Sequence, residues 1–70
     1  MNNRILVIED EESINEILTI SLRSEGYIVK SAFNGAEARE LLNTFQPNLT
    51  LLDINLPDES GFDLCKFILW

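Results

Sequence analysis

Three short apolar runs, each followed by a stretch with helical spacing, constrain this chain more than any other feature. Ile5-Leu6-Val7-Ile8 is continuous, apolar and rich in β-branched residues, the pattern of a strand buried on both faces. It stops at Glu9-Asp10-Glu11-Glu12, and Ser13 with the acidic residues before it suits a helix N-terminus. Ile14, Ile17, Leu18, Ser21 and Leu22 then recur on one helical stripe, and Gly26 stands where a left-handed cap ends a helix. Tyr27 to Ala32 reads as a second strand. Asn34-Gly35 opens a second helix with Ala38, Leu41, Leu42 and Phe45 on its stripe, and Pro47 stops it. Leu49-Thr50-Leu51-Leu52-Asp53-Ile54 is a third strand, Leu56 to Gly61 a loop, and Phe62 onward a third helix. Strand and helix alternating in this way imply an α/β fold with a parallel sheet and right-handed crossovers.

Charge and length narrow the function classes. Twelve Asp plus Glu against five Lys plus Arg give a net charge of −7. Nucleic acids and anionic membranes are recognised by Lys/Arg clusters, so neither is an expected partner of this segment. No apolar run approaches the roughly 20 residues that span a bilayer. The N-terminal apolar stretch is too short for a signal peptide and runs straight into acid, so a cytoplasmic location is expected. The single Cys65 forms no internal disulfide, and histidine is absent, so zinc clusters and ordinary catalytic triads are excluded. Seventy residues make one small domain, whose core supplies no more than roughly 3–5 kcal/mol without a staple.

In an open parallel sheet the ligand site lies beyond the carboxyl ends of the strands. Glu9 and Asp10 follow the first strand and Asp53 closes the third, so neighbouring first and third strands would bring these carboxylates together. Carboxylates so close repel, and a hard divalent cation such as Mg²⁺, which takes one or two carboxylates and keeps waters for phosphate oxygens, is the economical remedy. Glu11 and Glu12 read equally well as a solvated helix start. Asp53 does not, because a charge between Leu52 and Ile54 interrupts a buried strand. A calcium loop starting at Asp53 fails, since Pro57 and Asp58 stand at its fifth and sixth positions, where Asp or Asn and Gly are required.

Ile5-Leu6-Val7-Ile8-Glu9-Asp10-Glu11 and Leu51-Leu52-Asp53-Ile54-Asn55-Leu56-Pro57-Asp58-x-x-Gly61 resemble the receiver domain of two-component response regulators. The resemblance covers essentially the whole chain and implies a flavodoxin-like, doubly wound parallel sheet. It makes Asp53 the phosphoacceptor, Asp10 a direct Mg²⁺ ligand, Glu9 the outer member of the acidic pair, and Asn55 the donor of a backbone carbonyl to the metal. Glu9 is a mild departure from the commoner Asp. The implied partner is a sensor histidine kinase, and the implied role is that of an acceptor domain with at most self-phosphorylation or autodephosphorylation, not an enzyme. Pro57 and Gly61 would shape the loop beside the metal, Gly61 reading also as an ordinary cap or turn glycine, and Cys65, Phe62 and Phe67 are expected in the core.

Receiver domains have five strands and five helices; residues 1–70 match the first three strands, with two helices and the start of a third. A Ser/Thr ending the fourth strand and a Lys ending the fifth are therefore expected outside this sequence. The apolar Phe67-Ile68-Leu69-Trp70 tail fits a truncated N-terminal fragment. Two other outcomes follow from that expectation: an interaction fragment that forms homodimers through an open sheet edge, and an inactive truncation.

Overall fold

The computed structural model describes residues 3–53 together with 57 and 58. Five elements follow in the order β1 (Arg4–Ile8), α1 (Glu12–Ser24), β2 (Ile28–Ala32), α2 (Gly35–Thr44) and β3 (Leu49–Leu52). The strands form one parallel sheet in the order β2-β1-β3, with Ile8 paired to Ala32 on one side and to Leu52 on the other. The α/β class is as the periodicity implied, and the start of a doubly wound sheet is as the resemblance implied. The expected third helix, with Phe62, Cys65 and Phe67, lies outside the described residues, as do Ile54, Asn55, Leu56 and Gly61.

The chain leaves β1 in one direction to make β2 and crosses back over it to make β3. Crossovers of one hand then put the two helices on opposite faces of the sheet. Leu18 and Leu22 of α1 pack with Ile5, Val7, Val29 and Leu51 on one face. Ala38, Leu41 and Leu42 of α2 pack with Leu6, Ile8, Ala32 and Leu52 on the other. Because β1 is covered on both faces and paired on both edges, its four apolar residues are no more than 3% exposed.

Helix α1 departs from the expected stripe. Its buried positions are Asn15 and Thr19, beside the half-buried Leu18 and Leu22, while Ile14 and Ile17 are 47% and 64% exposed. The helix is turned so that two polar side chains reach the ends of the strands, where hydrogen bonds repay their burial. The N-terminal expectation also shifts: Glu11 occupies the cap without a side-chain bond, and Ser13 lies inside the first turn.

Where α1 ends, Gly26 has φ +96°. Its N–H donates to the Arg23 carbonyl (3.0 Å) and the Tyr27 N–H to that of Leu22 (3.3 Å), a Schellman ending. Those bonds hold Tyr27 outside β2, which starts at Ile28 and not at Tyr27 as expected. A Cβ at position 26 would meet nothing within 4 Å, so only the backbone opposes a side chain there. Gly26→Ala should therefore destabilise the chain by about 1 kcal/mol, read as a lowered urea midpoint with an unchanged slope.

At the amino end of the sheet, Arg4 closes the connection from α2 to β3. Its guanidinium donates to the Gln46 carbonyl through Nε (3.0 Å) and Nη2 (2.9 Å). Its N–H donates to Asn48 Oδ1 (3.0 Å) and its carbonyl accepts the Asn48 N–H (2.8 Å). Gln46, just before Pro47, is held at φ +50° by this latch.

Candidate functional site

The register that pairs Ile8 with Leu52 brings the next residue of each strand side by side. The Asp53 N–H donates to the Ile8 carbonyl (2.9 Å) and the Glu9 N–H to the Ala32 carbonyl (3.0 Å), so both backbones are held one residue past the strands. The strand order β2-β1-β3 reverses about β1, which makes this end of β1 and β3 the switch point of a doubly wound sheet. Glu9, Asp10 and Asp53 each present a carboxylate oxygen there, all within 4.8 Å of one another. Glu9 and Asp53 are half-buried and Asp10 is exposed. Asp53 thus stands directly after β3, which ends at Leu52, and does not interrupt a buried strand as expected. Asn55 lies outside the described residues.

Three carboxylates in this space are hard oxygen donors suited to a small divalent cation. Around Mg²⁺, with ligands at about 2.1 Å, adjacent and opposed oxygens stand about 3.0 and 4.2 Å apart; the cluster falls in reach of that spacing. A cleft of about 300 Å³ opens beside it, walled by Val7, Leu18, Leu51 and Leu52. Glu11 and Glu12 are exposed at the start of α1, and the Glu11 N–H donates to Glu9 Oε2 (3.0 Å).

That bond is the largest single influence on Glu9 and lowers its pKa. Desolvation, repulsion from Asp53 and hydrogen bonding with Asp53 and Asp10 outweigh it, so the net value is raised. A carboxyl raised by folding stabilises the chain while protonated. That contribution is present below the ordinary value of 4.5 and is lost as pH rises through the raised one.

Asp58, to which sequence reasoning gave no role of its own, has the opposite sign. Its carboxylate accepts the N–H groups of Gly35 (2.6 Å) and Ala36 (3.0 Å) at the start of α2. Asn34 Oδ1 accepts the N–H of Glu37 (2.8 Å), whose carboxylate reaches back to the Phe33 N–H (2.8 Å). The Gly35 N–H, with that of Ala36, holds the Asp58 carboxyl below its ordinary value. Its contribution is present above 3.8 and lost as pH falls through the depressed value. In metal-free buffer, Glu9→Gln should remove part of the fall in melting temperature above pH 4.5. Asp58→Asn should lower the melting temperature at neutral pH and flatten the acid limb. Coincident profiles for either variant and the parent chain would contradict its assignment.

Sequence reasoning also missed a buried polar chain running from α1 to the strand ends, through Asn15, Thr19 and Ser31. Its only signal was two polar residues four apart, flanked by Leu18 and Leu22 on the same helical face.

Residues 5–69 match the family described as response regulator receiver domain. PhoP of Bacillus subtilis, an alkaline phosphatase synthesis transcriptional regulatory protein, is 44% identical over 66 residues, which are 94% of this chain and 28% of PhoP. The response regulator TrrA of Thermotoga maritima, solved with Mg²⁺-BeF, superposes with a TM-score of 0.88 at 39% identity, over 94% of this chain and 57% of that one. TrrA in complex with the histidine kinase ThkA gives a TM-score of 0.87 at 39% identity, with the same coverage. The chain thus spans less than a third of PhoP and somewhat more than half of TrrA.

Proposed function

We propose a phosphoacceptor role for this chain, which belongs to the response regulator receiver domain family. In this reading Asp53 accepts a phosphoryl group from a phosphohistidine on a sensor histidine kinase, in two-component signalling. The observation that carries it is the meeting of Glu9, Asp10 and Asp53 at the switch point of the sheet. The two TrrA structures, with Mg²⁺-BeF and with a histidine kinase, support the cofactor and the class of partner.

A carboxylate oxygen of Asp53 would attack phosphorus; the P–N bond to the donor imidazole breaks, the imidazole nitrogen keeps the electron pair, and an acyl phosphate forms on Asp53. Phosphoryl transfer of this kind rests on positioning and charge neutralisation. Asp10 and Asp53 would hold Mg²⁺ directly, Glu9 would serve as the outer member of the acidic pair, and the Asn55 carbonyl would complete the protein's share. Bound there, the cation supplies the positive charge that offsets the carboxylates and the incoming phosphoryl oxygens. The chain's own contribution is to hold Asp53 through its backbone bond to Ile8 and to keep the apolar cleft wall beside it. No described helix is long and apolar enough to cross a membrane.

The test is to incubate the chain with a small acyl phosphate donor and Mg²⁺ and to measure intact mass. A gain of one phosphoryl group, absent when a chelator replaces Mg²⁺, is expected. A folded chain that binds Mg²⁺ and gains no mass would overturn the reading. A second reading, homodimerisation through β3, is favoured by the 55% exposure of Leu49 and by the position of β3 at the edge of the described sheet. It expects a concentration-dependent dimer by light scattering, with no effect of Mg²⁺.

A further inference from the structure

We propose that Asn15 is a positioning residue for the acidic cluster, holding the peptide between Glu9 and Asp10 so that their carboxylates meet that of Asp53. The inference rests on the Mg²⁺-dependent phosphoacceptor reading and assigns the second layer of that site.

Asn15 is 1% exposed, in the second turn of α1. Its Nδ2 donates to the Glu9 carbonyl (2.9 Å) and to the Ala32 carbonyl (3.2 Å), using both amide hydrogens. Its Oδ1 accepts the Thr19 hydroxyl (3.2 Å), and Thr19 Oγ1 also lies 2.9 Å from Ser31 Oγ on β2. The amide therefore has one workable orientation, since the reverse would set its oxygen against two carbonyl oxygens.

Ala32 is the shared anchor. Its carbonyl takes the Glu9 N–H as well as the Asn15 amide, so Glu9 is gripped on both sides of its Cα. The Glu9–Asp10 peptide carries one cluster carboxylate before it and one after it. Rotation of that peptide redirects both. Asp53 is anchored separately, through β1. Asn15 therefore sets how two independently held halves of the cluster face each other. The fold alone would be served by leucine at this position, on the same helical face as Leu18 and Leu22 and with better helix propensity; the amide is required by the strand-end carbonyls. Partners at this remove from a metal commonly tune its affinity by about 10- to 100-fold.

The test is a calorimetric Mg²⁺ titration of the full chain, Asn15→Leu and Thr19→Val, with circular dichroism to establish folding. Hydrogen exchange at the Glu11 amide gives a metal-independent readout. Asn15→Leu should keep its helix signal, bind Mg²⁺ about tenfold more weakly, and exchange the Glu11 amide faster. Thr19→Val keeps both donors but loses what orients them, and should weaken binding by a smaller factor. If Asn15→Leu does not fold, Thr19→Val decides. Unchanged affinity and exchange in the folded variant would overturn the role of Asn15 and leave the phosphoacceptor reading standing. A parent chain that binds no Mg²⁺ would remove that reading and this inference with it.

Discussion

Asp53→Asn should yield a folded chain that gains no phosphoryl group and that melts at a higher temperature than its parent in metal-free buffer. The two effects have one source. The carboxylate oxygen that would attack phosphorus is replaced by an amide, which is far less nucleophilic and leaves no anionic acceptor. The same replacement removes one of the three charges crowded at the end of β1 and β3. Unit charges about 4 Å apart repel by ~1 kcal/mol in water and by ~4 kcal/mol at the effective dielectric of a protein surface; this cluster, open to solvent at Asp10, belongs near the lower figure. The backbone bond from residue 53 to Ile8 is untouched, so the fold is kept. Added Mg²⁺ should raise the melting temperature of the parent more than that of the variant. A variant that melts below its parent without metal would contradict the repulsion.

Leu6→Ala should unfold most of the chain at room temperature. Leu6 is fully buried in the central strand and packs with Ile8, Ala32 and Ala38 under Leu41 and Leu42 of α2. Truncation of a buried leucine costs about 2–5 kcal/mol, and a core of this size supplies only about 3–5 kcal/mol in all. Ile17→Ala is the contrast, because Ile17 is 64% exposed; its effect should stay within about 0.5 kcal/mol. Urea titrations of both variants, followed by circular dichroism, separate the core from the outer face of α1. Equal effects would mean that the outer face of α1 is buried against something in solution.

The two variants also mark what the sequence could and could not reveal. The strand at Ile5–Ile8 was legible because four consecutive apolar residues have no polar face and must be covered on both sides. Glu9, Asp10 and Asp53 were legible because they stand where buried runs stop, and the alternation of elements already placed both stops at one edge of a parallel sheet. The orientation of α1 was not legible. Apolar spacing favours a stripe through Ile14 and Ile17, yet Asn15 and Thr19 are the residues turned inward. Hydrogen bonds to Glu9, Ala32 and Ser31 make that burial favourable, and no hydropathy pattern registers them. Asp58 was hidden for another reason. It caps a helix that begins 23 residues earlier, and a contact between two loops leaves no periodic trace in the sequence.

The central claim is that Asp53 is the acceptor. It is tested most directly by treating the chain with an acyl phosphate donor and Mg²⁺, reducing the product with borohydride, and sequencing the peptides by mass spectrometry. An acyl phosphate on Asp53 is reduced to homoserine, so homoserine at position 53 alone is the expected result. Homoserine at another aspartate, 5-hydroxynorvaline at a glutamate, or phosphate retained on a hydroxyl side chain with Asp53 intact, would contradict it.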